Sequence, residues 1–302
     1  MAGVSKKRTG ARLTKRDVKP ENRAAPPKAP ELPAPPKAPE VAKALAFDAG
    51  FDKRWEKFPK PQATTDSEFW LKTGWKPEQF EGKAVLDAGC GCGRFSMIAA
   101  ECGANSIFAF DASPKAVEAA KENVPSATVF RGDLLDIPLV VPESIDMAFA
   151  IGTLHHTGNT RKAFAEVAKT VKQGGELAIW VYARHIHGDP GLELVFDMFH
   201  EMTSSIPPER LYNILSRYSI PLRDYYNKRW DSLTQIVRIN ISDDDAECIS
   251  NTFDWHCPKY RDWHSEEEVK QWFEEEGFTV DWVGPHPTTV RGTKKLKQDQ
   301  QR

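Results

Sequence analysis

Short apolar runs alternate with amphipathic segments over the middle of the chain, from residue 84 to residue 182. The runs are typical of buried strands, and the segments between them repeat apolar residues at helical spacing. The pattern predicts five strands, at 84–87, 106–110, 128–130, 145–151 and 177–182. Strands that alternate with helices form a parallel sheet with both faces covered, so an α/β fold is predicted.

Helices are also predicted on both sides of this block. Phe51, Trp55 and Phe58 share one helix face, and a second short helix follows around Trp70. Residues 44–82 are therefore expected to form helices that cover the ligand pocket, with core packing against the sheet as the alternative. Two further strands, 278–283 and 288–291, follow a helix that opens with a capping box at 265–268. They are expected as an antiparallel hairpin at one edge of the sheet.

Residues 184–264 interrupt the alternation after the fifth strand. Apolar residues at helical spacing predict one helix over 192–202, and Pro207-Pro208 opens a second that is expected to end near Tyr218. This insertion is predicted to be a mostly helical lid over the carboxyl edge of the sheet. A packing or dimerisation element is the alternative.

The turn after the first predicted strand is rich in glycine and runs from Asp87 to Arg94 as DAGCGCGR. A glycine turn lets a ligand approach the backbone closely because no Cβ is in the way. Its spacing is G-x-G-x-G, whereas dinucleotide sites have G-x-G-x-x-G. An acid two residues before the first glycine would repel a pyrophosphate, but it suits the ammonium of an amino-acid moiety. A dinucleotide-dependent oxidoreductase is therefore disfavoured.

This turn resembles the first motif of the class I S-adenosylmethionine-dependent methyltransferases, (D/E)-x-G-x-G-x-G, over the full length of the motif. The stretch 152–182, which contains Leu154-His155-His156, is similar to the equivalent part of the type-11 methyltransferases. The resemblance covers about 45–292. It implies a Rossmann-like seven-stranded, mostly parallel sheet, a helical insertion, and S-adenosylmethionine as the cofactor of a small-molecule methyltransferase.

Candidate cofactor residues lie at the ends of successive predicted strands. Asp111 follows Asp87 by 24 positions, close to the offset of a ribose-binding carboxylate in such folds. The resemblance implies that Asp133 accepts a hydrogen bond from the adenine amino group and that Leu134 supports the ring. The predicted set is completed by residues of the glycine turn and of neighbouring strand ends: Gly89, Cys90, Gly91, Gly93, Arg94, Ala112 and Ile151.

Candidate residues for the acceptor follow the fourth strand and close the insertion. His155 and His156 are candidate bases, which are needed only if the acceptor loses a proton, and a packed structural histidine is the alternative. Trp255, His256 and Tyr260 are candidate acceptor-binding residues. The loop with His185, His187 and Asp189 has no repeated ligand spacing, so no metal site is predicted.

The stretch after the fourth strand also bears on the acceptor. It contains Ile151-Gly152-Thr153-Leu154 where base- and glutamine-methylating enzymes have Asn-Pro-Pro-Tyr, which favours small oxygen, carbon or nitrogen acceptors. A protein that binds S-adenosylmethionine for another reaction, or for a non-catalytic regulatory role, is the alternative. The acceptor's identity and the oligomeric state are left open.

Composition separates the ends of the chain from the 44–292 domain. Residues 1–43 hold eight prolines and eleven Lys or Arg against four Asp or Glu, so a disordered tail is predicted, with a basic arm for RNA, an acidic partner or anionic lipid as the alternative. Residues 293–302 are expected to form a polar tail. The net charge of −2 does not indicate nucleic-acid binding by the chain as a whole. No apolar run is long enough to predict a membrane span. Five cysteines, an odd number, predict reduced thiols in a cytoplasmic protein.

Overall fold

The computed structural model describes residues 48–62, 65–137, 143–184, 190–228 and 237–296. The predicted tail at 1–43 and the loop with His185, His187 and Asp189 lie outside these ranges. Within them, no helix combines the length and apolar character required to span a membrane.

A seven-stranded sheet organises the described residues. Its strands, numbered along the chain, are β1 (Ala84–Ala88), β2 (Ser106–Asp111), β3 (Thr128–Arg131), β4 (Ile145–Ile151), β5 (Val171–Trp180), β6 (Phe278–Val283) and β7 (Thr289–Lys294). The order is β3-β2-β1-β4-β5-β7-β6. Strands β1 to β5 pair in parallel, and β7 runs antiparallel to both β5 and β6. The predicted α/β class, the strand count and the edge hairpin are confirmed.

The boundaries of β5 and β7 differ most from the prediction. Strand β5 was expected to begin at residue 177, but it begins at Val171 and includes Gly174-Gly175, and its register against β4 shifts between Ile145 and Met147. A Cβ on Gly175 would lie 2.9 Å from the backbone oxygen of Asp146, so this glycine permits a close approach of two strands. At the other end, β7 continues to Lys294, and the predicted polar tail therefore begins later than residue 293.

The helices fall into three groups. Before the sheet lie α1 (Ala49–Lys57) and α2 (Thr65–Thr73), and the connections contain α3 (Arg94–Glu101), α4 (Pro114–Asn123), α5 (Thr160–Thr170) and α9 (Glu266–Glu275). The insertion contains α6 (Pro190–Ser204), α7 (Pro208–Lys228) and α8 (Asp245–His256). The described part of the insertion is thus mostly helical, as predicted.

Helix α7 is longer than predicted. It was expected to end near Tyr218, but it continues through Pro221 to Lys228. Proline lacks an N–H and disfavours a helix interior, so the sequence pattern indicates an earlier end. Burial of Arg223 and Tyr226 beyond the proline shows why the helix continues: its inner face keeps packing within the insertion.

Two apolar clusters cover the faces of the sheet. One packs Phe164 and Val167 of α5 with Phe273 of α9, and the other packs Phe69 of α2 with Phe95 of α3. Phe69 of α2 is therefore a core residue, and Trp70 packs against the same cluster, whereas Phe51 and Trp55 of α1 belong to neither cluster. Strand order reverses between β1 and β4, and in open α/β sheets this switch point forms a crevice at the carboxyl ends of the strands.

Candidate functional site

A cavity of about 1080 Å³ lies at this switch point. Its walls include Gly91 after β1, Asp111 at the end of β2, Ile151 at the end of β4, and Trp255 of the insertion. Thus the ends of three strands and the insertion face one space. The remaining predicted cofactor residues that line it are Gly89, Cys90, Arg94, Ala112, Asp133 and Leu134.

The glycine turn follows β1 and is packed too closely for side chains. Gly89 and Gly91 have φ values of +79° and +53°, in the left-handed region. A Cβ on Gly89 would lie 2.1 Å from Thr153 Oγ1, and one on Gly91 would lie 2.4 Å from the Trp55 ring. Gly93 does not line the cavity and instead caps the start of α3 with φ of +81°.

Asp111 ties the glycine turn to the next helix. Its Oδ2 accepts the N–H of Gly91 at 3.0 Å, and its Oδ1 accepts the N–H of Ser113, the N-cap of α4, at 2.9 Å. Burial raises the pKa of this carboxyl, although the backbone donors oppose the shift. A carboxylate has about four lone-pair sites, so acceptor capacity is left for a ligand in the cavity.

Asp87 lies behind the glycine turn rather than in the cavity wall. Only 2% of the residue is exposed, and Ser96 Oγ donates to its Oδ2 at 2.7 Å. Burial raises its pKa to about 7, against the hydrogen bond from Ser96. Asp87 therefore holds the glycine turn against α3 through Ser96. Because it does not line the cavity, its position does not support the predicted direct contact with a ligand ammonium.

The raised pKa of Asp87 predicts a pH-dependent stability. Because the folded-state pKa lies above the ordinary value of 3.8, folding favours the protonated form. This contribution is fully present below about pH 4 and is lost as the pH rises through about 7. We expect the free energy of unfolding of the ligand-free chain, measured with urea, to fall between about pH 4 and 7 and to level off above that. The Asp87→Asn variant should show a flatter profile, and parallel profiles would contradict the assignment.

Asp133 and Leu134 follow β3 and line the same cavity. Asp133 Oδ1 accepts the N–H of Leu135 at 2.8 Å, which fixes the carboxylate in the turn. Arg131 Nε donates to the carbonyl of Ala112 at 2.9 Å and joins the ends of β3 and β2. Asp133 and Leu134 therefore line the same cavity as Asp111.

A cluster of charged side chains that the sequence did not predict lines the cavity, on α2 and at the start of α3. Glu68 lies 2.6 Å from both Arg94 Nη1 and Lys72 Nζ. Burial alone would raise the pKa of Glu68, but the two cations outweigh it and lower the pKa to about 2. Lys72 Nζ also lies 3.3 Å from the Trp180 ring centroid. The i, i+4 spacing of Glu68 and Lys72 was the available sequence signal.

The two adjacent histidines have different surroundings. His155 is fully buried, its ring stacks on Tyr182 at a centroid distance of 3.9 Å, and it does not line the cavity. Burial holds its pKa well below the ordinary value, so it is neutral. Among the described residues neither ring nitrogen has a hydrogen-bond partner. His155 therefore fits the alternative of a packed structural residue.

His156 lines the cavity and is oriented by the insertion. Its Nδ1 lies 2.9 Å from the carbonyl oxygen of Tyr260. Because a carbonyl only accepts, Nδ1 carries the proton, and the neutral ring keeps its lone pair on Nε2. Burial lowers the pKa of His156, so this neutral form predominates near neutral pH. The arrangement leaves one ring nitrogen able to accept a proton.

The insertion contributes two of its three predicted acceptor residues to the cavity. Trp255 and Tyr260 line the wall, but His256 does not. His256 Nε2 donates to the carbonyl of Arg238 at 2.8 Å inside the insertion, and the residue is 6% exposed. It lies on α8 next to Trp255, and adjacent helical residues point in different directions. The insertion residues that line the wall without having been predicted are Arg238, Asn240, Glu247, Asn251, Asp254, Lys259 and Trp263.

Helix α1 connects the glycine turn to the insertion. Trp55 lies over Gly91, and on the same helix Arg54 Nη1 pairs with Asp254 at 2.6 Å. Phe51 packs edge-to-face on His156 with centroids 5.0 Å apart. The helix thus forms one wall of the cavity. Among the described residues no group of three or more His, Cys, Asp or Glu side chains could hold a metal.

Comparison with known proteins bears on the central part of the chain. Residues 85–175 match the family model of a methyltransferase domain. These residues are a class I methyltransferase domain. The resemblance drawn from the glycine turn is confirmed, and S-adenosylmethionine is the cofactor of this domain. The finer likeness to the type-11 enzymes stays a prediction.

Relatives of the methyltransferase domain include a ribosomal protein L11 methyltransferase of Burkholderia lata. It is 34% identical over 112 residues, which cover 36% of this chain and 34% of that protein. The chain thus spans about a third of the length of the curated relatives it matches. A methyltransferase structure from Aquifex aeolicus has 19% identity, with 82% of this chain and 98% of that chain covered at a TM-score of 0.45. Magnesium protoporphyrin IX methyltransferase from Synechocystis PCC 6803 has 16% identity, 82% and 94% coverage, and a TM-score of 0.46.

The residues of the methyltransferase domain fit S-adenosylmethionine. Gly89 and Gly91 line the cavity after β1, and neither has room for a Cβ because Thr153 and Trp55 pack against them. The carboxylates of Asp111 and Asp133 lie at the ends of β2 and β3 in the same wall. Acceptors for hydroxyl and amino hydrogens are therefore present where a nucleoside would need them.

Proposed function

We propose that the chain transfers a methyl group from S-adenosylmethionine to a small organic acceptor. One observation carries the proposal: the predicted cofactor residues other than Asp87 and Gly93 line a single cavity together with the insertion residues Trp255 and Tyr260. Its volume of about 1080 Å³ reaches the upper end of the ~300–1,000 Å³ range of ligand pockets. Such a space suits two small molecules held side by side.

The cofactor end of the cavity is assigned to the glycine turn and the ends of β2 and β3. Asp111 would accept hydrogen bonds from ribose hydroxyls, and Asp133 with Leu134 would hold the adenine. When bound, the cofactor supplies an electrophilic methyl group for in-line displacement. The protein's own contribution is chiefly alignment, which can supply ~7–11 kcal/mol of a barrier. The rigid turn beneath Trp55 suits that task, because its backbone is fixed by Asp111.

The acceptor end is assigned to the space between His156 and the insertion. His156 keeps a basic Nε2 because the Tyr260 carbonyl holds the proton on Nδ1. It would take a proton from an acceptor hydroxyl, amine or activated carbon as the new bond forms. The aromatic side chains Tyr182, Trp255 and Trp263 in the same wall would hold the body of the acceptor.

A protein acceptor is the second candidate, favoured by the name of the L11 methyltransferase relatives. Phe51 of α1 and Tyr260 of the insertion line the same cavity, and such aromatic faces suit the body of a small organic acceptor. The test is to incubate the full chain with methyl-labelled cofactor and a cell extract, and then to separate small molecules from macromolecules. Label in the small-molecule fraction supports the proposal, and label confined to protein contradicts it. Cofactor binding with no labelled product would favour a different reaction or a regulatory role.

The cofactor assignment predicts a loss of affinity in Asp111→Asn. Removing a charged acceptor from ribose hydroxyls should cost ~1.5–3 kcal/mol, which is about a tenfold to hundredfold rise in Kd. Isothermal titration with S-adenosylmethionine measures the change. The matched control is Asp146→Asn, because Asp146 also accepts a backbone N–H, that of Ala84 at 2.8 Å, but lies at the opposite edge of the sheet. Equal affinities in Asp111→Asn and the wild type would overturn the assignment.

A further inference from the structure

Arg238 is a fixed cation in the insertion side of the cavity wall. Its guanidinium carbon lies 5.2 Å from the Phe196 ring centroid and 5.1 Å from that of Trp255. Its backbone is fixed as well, because His256 Nε2 donates to its carbonyl at 2.8 Å. An arginine between two aromatic rings keeps its N–H edges free to bind while its rotamer is restricted.

The other arginines of the cavity wall, and its buried lysine, each make an ion pair with a carboxylate. Arg54 pairs with Asp254, and both Arg94 and Lys72 pair with Glu68, each at 2.6 Å. Arg238 makes no ion pair with any carboxylate in the part of the chain that the structure describes. The neighbouring Arg261 is itself paired, with Asp197 at 3.0 Å.

An unpaired cation in a half-buried wall has a cost. Desolvating a charge is unfavourable unless a counter-charge and hydrogen bonds compensate it. The side chain of Arg238 does not join two elements of the fold by an ion pair. The stability of the fold therefore does not explain why a positive charge is kept at this position. A ligand that brings its own negative charge would supply the missing partner.

We propose that the acceptor is an aromatic carboxylic acid whose carboxylate pairs with Arg238. A guanidinium presents two parallel N–H groups that match a carboxylate, and such pairs are stronger than neutral hydrogen bonds. The rings of Tyr182, Trp255 and Trp263 line the same wall and provide faces for a planar ring system. This inference rests on the proposed function, since it assigns a substrate class to the acceptor end of the cavity.

The test compares two probes of the same shape that differ in charge. The full chain, with S-adenosylhomocysteine present, is titrated with 2-naphthoate and with 2-naphthamide, and Kd is measured by calorimetry. We expect the wild type to bind the naphthoate at least about tenfold more tightly, as a charge-assisted pair implies. Arg238→Gln should remove the preference, and Arg238→Lys should keep only part of it.

The matched control is Arg217→Gln, which makes the same charge change on an exposed residue of α7. It should keep the wild-type preference, because long-range charge alone does not create it. A wild type without preference, or an Arg238→Gln variant that retains it, overturns the inference. Titration of S-adenosylhomocysteine alone separates the two proposals: failure to bind it contradicts the methyltransferase function, whereas binding without probe preference contradicts only the role of Arg238.

A thermal comparison distinguishes ligand binding from a structural role. Arg238→Met keeps the apolar stem between the rings and removes no ion pair, so its melting temperature should equal or exceed that of the wild type. Arg54→Met leaves the carboxylate of Asp254 without its ion-pair partner, so this variant should melt at a lower temperature. A fall in Arg238→Met as large as that in Arg54→Met would show that Arg238 serves the fold, and would overturn the inference.

Discussion

We expect His156→Asn to lower the turnover of methyl transfer about 10²- to 10⁴-fold while cofactor affinity stays near the wild-type value. The asparagine can still donate an N–H to the Tyr260 carbonyl, so the link between the β4 turn and the insertion is kept. What it loses is the Nε2 lone pair. Single-turnover measurement with the identified acceptor separates this loss from slower product release.

His155→Phe is the matched control. Phenylalanine preserves the stacking on Tyr182 and removes two ring nitrogens that have no hydrogen-bond partner among the described residues. Turnover should therefore change little. If His155→Phe lost as much activity as His156→Asn, the assignment of the base to His156 would be wrong. If neither variant lost activity, the acceptor would need no base from this pair.

The pH dependence of turnover provides a second readout. Burial lowers the pKa of His156, so the neutral, basic form persists at a lower pH than for a free histidine. Turnover should fall only as the pH drops through this lowered value, and His156→Asn should lack that limb of the profile.

The strands and the cofactor end of the site were predictable because their signals are local. The apolar run at Ile145–Ile151 and the turn from Gly89 to Gly93 each determine their conformation within a few residues. Asp111 and Asp133 follow from the same logic, because a residue that ends a parallel strand must lie at the carboxyl edge of the sheet. The resemblance added their chemical roles.

The acceptor end was only partly predictable because its contacts are distant in sequence. His256 and Arg238 illustrate this. His256 was predicted to bind the acceptor, yet it supports the backbone of Arg238, which has no periodic or motif signal of its own. Likewise His155 and His156 are adjacent, and only their tertiary surroundings separate a packed ring from a cavity ring. Pro221 shows the same limit for the fold, since packing against the rest of the insertion overrides a local helix breaker.

Helix α1 contacts both the insertion and the glycine turn. Arg54 pairs with Asp254 at 2.6 Å, and Gly50 lies so close to the insertion that a Cβ there would be 2.7 Å from Cys257 Sγ. The Arg54 guanidinium also lies 4.6 Å from the Trp55 ring centroid, above the ring that covers Gly91. Loss of this pair should therefore affect both the insertion and the cofactor turn.

We expect Arg54→Met to lower the free energy of unfolding by about 3 kcal/mol. This value is near the lower end of the range for removing one partner of a buried ion pair. The side chains of Arg54 and Asp254 are 10% and 18% exposed, so solvent relieves part of the cost. Urea unfolding measures the loss. The double variant Arg54→Met with Asp254→Asn should recover much of it, because no charge is then left without a partner.

Lys53→Met is the matched control for this last prediction. Lys53 is the next residue of α1 and pairs with Glu209 of α7 at 2.6 Å, but Glu209 is 57% exposed. Exposed pairs contribute little, so this variant should unfold near the wild type. Arg54→Met should also weaken S-adenosylmethionine binding, since Trp55 is no longer held over Gly91, whereas Lys53→Met should not. If the two variants behaved alike in both measurements, α1 would not link the insertion to the cofactor turn through Arg54.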